Sequence, residues 1–205
     1  MTYAGVLTTS LTVLAFVLTL SSVGHAQSET VHEAIARGAT GRVSTAPSGH
    51  PPTVTDLLRE TDIVVRGIIG QPRAYLSGDK RDVYTDYALK NPAILYAKQV
   101  LSSAVPGASA DVTVTQLGGT IEVNGVKFTQ KENGLLPLEP GVEGLFLLKR
   151  VDNRYQIAGT YFGAFRIAAG RVTPFTMRQS FAPEYRDAST EHAVAEIMRQ
   201  LRTLR

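Results

Sequence analysis

Two short runs constrain the fold more than any other feature of the chain. Ile63-Val64-Val65-Arg66-Gly67-Ile68-Ile69-Gly70 and Leu145-Phe146-Leu147-Leu148 are almost continuously apolar and rich in β-branched or bulky side chains. A strand that is apolar on both faces has to be covered on both sides. Whatever the chain folds into, these two runs belong at its centre. Strand signals then recur at 83–90, 93–101, 111–117, 120–124, 126–130, 144–150, 155–160, 162–168 and 172–177. Turn residues separate most of them: Asn91-Pro92, Pro106-Gly107, Asn124-Gly125, Glu139-Pro140-Gly141, Asp152-Asn153 and Ala169-Gly170. Many short strands with brief connections predict a mainly β chain built as an antiparallel barrel or sandwich.

Register is legible in places. Val83, Thr85, Tyr87 and Leu89 share one face of their strand, and Tyr84, Asp86, Ala88 and Lys90 form the wetter face. Residues 71–82, with Pro72, Gly78 and several charges, read as an exposed connection. A short helix is expected before the first strand, capped by Thr53 or Thr55, running through Leu57-Leu58 and ending near Thr61. At the other end Ser189 or Thr190 caps a helix in which Val194, Ile197, Met198, Leu201 and Leu204 recur at steps of three or four. Its apolar stripe is expected to pack on the β structure. Arg199, Arg202 and Arg205 suit the negative end of that helix.

With 205 residues and 43% hydrophobic content, the chain can bury a core of ordinary size. A net charge of +3 from scattered basic residues is too weak to suggest nucleic acid. Cysteine is absent, which excludes disulfides, thiolate nucleophiles and cysteine-ligated metals. Residues 1–26 read as an export signal, with the apolar stretch LTVLAFVLTL followed by Gly24 and Ala26 as the small residues before cleavage. The stretch before that core lacks Lys and Arg, so a retained anchor is the competing reading. Cleavage after Ala26 is expected, giving an exported periplasmic or secreted protein with no membrane attachment. Residues 27–52, rich in Ser, Thr, Gly, Ala and Pro, read as a flexible leader, and 53–205 as one β-rich domain with its C-terminal helix.

The stretch LGGTIEVNG, residues 117–125, most resembles a ligand loop. Gly118-Gly119 nevertheless lacks a following Lys-Ser or Lys-Thr, a third spaced glycine and a helix whose N-terminus would hold phosphate. Asn124-Gly125 between alternating runs is a two-residue hairpin signal. The expectation is therefore a strand exit with a β-bulge at Gly118-Gly119, followed by a tight turn.

No catalytic set can be assembled. His25, His32, His50 and His192 lie in the signal, the leader and the last helix, without metal-ligand spacing, so no metal and no cofactor are expected. Asp82 with Asp86, and Glu139 with Glu143, are the carboxylate pairs that acid–base hydrolysis would need. Acidic residues near turns are more often solvated turn formers. Candidate binding residues are Arg73, Tyr75 and Tyr84, which suit recognition if exposed. Tyr161, Phe162 and Phe165, close to Gly159 and Gly163, read as core packing.

The succession ETDIVVRGIIG, YTDYALK, VTVTQLGG, LEPGVEGLFLLKR and YQIAGTYFGAFRI resembles a group of exported, uncharacterised bacterial proteins, over roughly residues 55–175. That resemblance implies export and a β fold without a mechanism. Over the first strands, Glu60-Thr61-Asp62-Ile63-Val64-Val65 resembles the opening of the netrin-like OB barrel of metalloproteinase inhibitors, with Thr61 where those have alanine. Their N-terminal cysteine is absent, so the resemblance implies an OB-like barrel and does not carry over their metal-chelating mechanism. The resulting expectation is a non-enzymatic exported β domain that binds a protein or glycan of the cell envelope or exterior. A carboxylate-dependent hydrolase and a membrane-tethered structural protein stand as alternatives.

Overall fold

A computed structural model describes residues 29–44, 52–98, 112–152, 154–160, 162–176, 182 and 185–204. The expected signal and its cleavage point, His25, His50, Tyr161 and the turn at Pro106-Gly107 lie outside these residues. The chain is mainly β, as expected. Among the described residues eleven strands form two sheets: β1 (Gly41–Ser44), β2 (Ile63–Leu76), β3 (Val83–Ala97), β4 (Thr113–Leu117), β5 (Gly119–Val123), β6 (Val126–Glu132), β7 (Glu143–Val151), β8 (Arg154–Ile157), β9 (Ala164–Ala168), β10 (Arg171–Pro174) and β11 (Ala188–Ser189). The larger sheet runs β11-β10-β9-β7-β2-β3-β4-β8, and the smaller runs β1-β6-β5.

β8 pairs with β4 on one side and with β7 on the other, so the hydrogen-bonded ladders β7-β2-β3-β4-β8 return to their start. The expectation of antiparallel pairing holds for four of the five contacts in this cycle. The fifth, β4 with β8, is parallel. Curling so long a ribbon requires local bending, and the β2–β3 ladder shifts register three times. At one shift Asn91 and Pro92 stand opposite Gly67, with Asn91 at φ 50°. The turn expected at Asn91-Pro92 is thus a bulge inside one continuous strand. The connection expected over 71–82 is likewise shorter, because β2 continues to Leu76 before turning.

The two all-apolar runs lie where their composition requires. Leu145, Phe146, Leu147 and Leu148 are fully buried, and β7 sits between β2 and β9. Ile63, Val65, Phe146 and Leu148 point to one side, where they meet Tyr87, Leu89, Val114 and Ile157. Val64, Leu145 and Leu147 point to the other, under α2 (Val54–Glu60) and α3 (Thr190–Thr203). Thr53 caps α2 with a full capping box, and Ser189 caps α3. Ile197 and Leu201 of α3 are buried as its stripe predicts, whereas Leu204, past the helix end, is exposed. Phe162 and Phe165 are core residues, as expected. Gly159, at φ +60°, leaves no room for a Cβ beside Leu57.

Residues 31–44, read from sequence as flexible leader, are folded. Thr30 caps α1 (Val31–Ala36) with its own capping box, and Val31 and Ala34 pack with Val83 and Phe128. β1 then pairs in parallel with β6. Arg42 on β1 donates from Nη2 to Asp82 Oδ1 at 2.9 Å and to Gln130 Oε1 at 2.8 Å. Gln130 completes the tie by donating to Asp82 and to the Ser44 hydroxyl, both at 3.0 Å. Two or three buried apolar contacts and one polar network were too sparse to register as periodicity.

The expected bulge at Gly118-Gly119 is instead a corner. β4 ends at Leu117, and the chain leaves the larger sheet for the smaller one through these two glycines, at φ +101° and +140°. Asn124 and Gly125, at φ 51° and 79°, make the expected tight turn of the β5–β6 hairpin. A Cβ at Gly119 would meet Oγ1 of Thr85, which donates to the Gly118 carbonyl at 2.6 Å. Gly119→Ala is therefore expected to cost about 2–3 kcal/mol, from strained backbone together with that collision. Urea unfolding of the purified variant checks this, and an unchanged midpoint would refute it.

Candidate functional site

The three residues singled out for binding lie together on the outer face of the ribbon. Tyr75 of β2 and Tyr84 of β3 are directly paired, with rings stacked at 6.2 Å. Arg154, which opens β8, places its guanidinium 4.8 Å from the Tyr75 ring centroid and donates from Nη1 to the Tyr75 hydroxyl at 2.8 Å. That hydroxyl in turn donates to Asp86 Oδ1 at 3.1 Å, and Thr115 donates to the same oxygen at 2.7 Å. Burial, followed by the nearby Asp86 carboxylate, pushes the Tyr75 phenol above its ordinary pKa. Tyr75 therefore stays a neutral donor. Burial also raises Tyr84. Arg73 stands two residues before Tyr75 on the same strand, opposite Asp86, and is exposed.

The sequence singled out Tyr75, Tyr84 and Arg73 as candidates but neither Arg154 nor the hydrogen bonds of Asp86. Arg154 follows a turn some eighty residues downstream. Only the β4–β8 pairing brings it alongside.

The carboxylates named for acid–base chemistry are dispersed among separate partners. Asp82 binds Arg42, Asp86 binds Tyr75 and Thr115, Glu143 accepts from Arg66 at 2.7 Å, and Glu139 pairs with Arg166. Asp82, Glu143 and Glu139 are ion-paired and partly exposed, Asp86 is held by two hydroxyls, and each of the four has its own partner. His32 and His192 are both exposed, and no group of three metal-ligating side chains occurs among the described residues. Among these residues no helix is long and apolar enough to cross a membrane.

A second feature lies between the two sheets. A cleft of about 580 Å³ is lined by Gly118 and Gly119, Thr85 and Tyr87 of β3, Gln116, and Glu132 at the end of β6. The two glycines thus do border a concavity, so a purely backbone account of them was incomplete. Glu132 is 7% exposed, and its Oε2 has no hydrogen-bond partner among the described residues. Burial pushes its pKa up to about 7. A perturbed titratable group in a cleft is a functional-site signal. The residue was missed because the strand was read as ending at Gln130. Its alternation continues: Phe128, Gln130 and Glu132 are all buried on one face, and two more residues would have put an acid on the core side.

No protein-family model matches the chain, and no curated protein matches it either.

Proposed function

We propose that this is an exported, non-enzymatic β domain whose ring β7-β2-β3-β4-β8 is an OB-like barrel, and that it binds a component of the cell envelope or exterior. The observation that carries this reading is the Tyr75–Tyr84–Arg154 cluster. In OB barrels, ligands lie on the face of the second and third strands, between the loop joining strands one and two and the loop joining four and five. Counted from β2, those strands are β3 and β4. Tyr75 and Tyr84 flank the first loop, and Arg154 follows the second. Two stacked aromatics and an arginine, pre-ordered by hydrogen bonds, lose little freedom on binding, and such residues dominate binding energetics. Export rests on the N-terminal apolar stretch.

The test is co-sedimentation of the purified domain with isolated envelope from the producing cell. Removing the cluster with Tyr75→Ala, Tyr84→Ala and Arg154→Ala together is expected to weaken retention at least tenfold, on the order of 1–2 kcal/mol or more. Equal retention of this variant and the wild type, or no retention of the wild type, would remove the reading.

A further inference from the structure

The cleft between the sheets lies away from the tyrosine face, and the binding function proposed above does not use it. Three of its properties bear on what could enter. Its volume of about 580 Å³ falls in the range of small-molecule sites, roughly 300–1,000 Å³. Its lining mixes apolar surface, from Val43, Leu135 and Tyr87, with polar side chains. Several of those polar groups are already engaged: Thr85 donates to Gly118, Gln130 makes four hydrogen bonds, and Gln116 donates to the Leu136 carbonyl at 3.3 Å. Among the described residues that line the cleft, Oε2 of Glu132 is a buried acceptor left without a donor.

A buried carboxylate without a partner is costly, and a group that supplies both a proton donor and a positive charge removes that cost best. A hydroxyl supplies only the donor, and an anion is repelled. Lys131, the cation that also borders the cleft, alternates to the exposed side of β6 and makes no hydrogen bond or ion pair with Glu132. We propose that the inter-sheet cleft is a binding site for a small organic ammonium compound, whose cationic nitrogen donates to Glu132 while a compact apolar body rests against Val43, Tyr87 and Leu135.

Amide NMR of the whole domain, titrated with cyclohexylamine and in parallel with cyclohexanol, tests this. The amine is expected to shift the Gly118, Gly119 and Glu132 amides saturably in the millimolar range, and the alcohol to leave them at least tenfold less affected. Glu132→Gln keeps the shape and removes the charge, so it is expected to weaken amine binding at least tenfold while its spectrum elsewhere remains that of the folded wild type. Glu132→Asp, which keeps the charge on a shorter stem, is expected to retain part of the affinity. Equal response to amine and alcohol, wild-type affinity in Glu132→Gln, or no saturable shift of these amides would overturn the proposal.

Discussion

Phe146→Ala is expected to cost about 3–5 kcal/mol, a large share of the roughly 5–15 kcal/mol by which a domain is ordinarily stable. The side chain has no exposed surface and packs in one core cluster with Ile63, Val65 and Leu148. Its strand is hydrogen-bonded on both sides, so the backbone has little freedom to collapse into the space left behind. Gly144, two residues earlier, lies directly beneath the ring: a Cβ there would run into its Cζ edge. Gly144→Ala is thus expected to destabilise from the opposite direction, by overpacking of roughly 1–3 kcal/mol. Combined with Phe146→Ala, the added methyl no longer has a ring to strike, so the double variant should be more stable than the sum of the single losses predicts. Chemical denaturation of the three variants measures this coupling, and simple additivity would show that the contact carries no energy.

Glu132 gives the second large effect, read through pH. Its carboxyl titrates near 4.5 in an unfolded chain and at about 7 in the folded one. Between those values the folded state holds a proton that the unfolded state has released. Stability therefore falls as pH rises from about 4.5 to 7 and then levels off. Each pH unit across that window is worth roughly 1.4 kcal/mol at most, and water in the cleft reduces the whole effect to about 2 kcal/mol. Glu132→Gln, neutral throughout, is expected to abolish this slope and to be more stable than the wild type above pH 7. Unfolding midpoints at pH 5, 6, 7 and 8 decide it, and parallel curves for the two proteins would exclude a raised folded-state pKa.

What could be read from residues alone followed from how local each signal is. The lack of alternation in Leu145-Phe146-Leu147-Leu148 states two-sided burial outright, and the alternation from Val83 to Leu89 states which face is wet. Thr53 and Ser189 mark helix starts because the capping interaction spans three residues. Asn124-Gly125 marks its hairpin because two positive φ angles are needed there. Signals that depend on distant partners were silent. Nothing near Thr113 shows that β4 will meet β8 in parallel. Pro72 looked like a break because a proline cannot donate to a ladder, yet it stands just past a register shift, where the strand tolerates it. The Tyr75–Tyr84–Arg154 cluster was half legible for the same reason: its tyrosines face each other across a hairpin, while the arginine over them arrives from another strand. Glu132 was out of reach only because its strand runs two residues past Gln130.

The parallel pairing of β1 with β6 also dictates an order of events. Gly41 lies opposite Thr129, and Arg42 bonds Gln130, 88 residues further along. A four-residue edge strand with Val43 largely exposed cannot hold itself in place before that partner exists. The hairpin closes locally on a timescale of microseconds, whereas docking β1 has to wait for it across a long intervening loop. Residues 41–44 are therefore early in the chain but late in assembly, the clasp fastened after the body has taken shape. A chain interrupted before the hairpin has nothing for them to pair with.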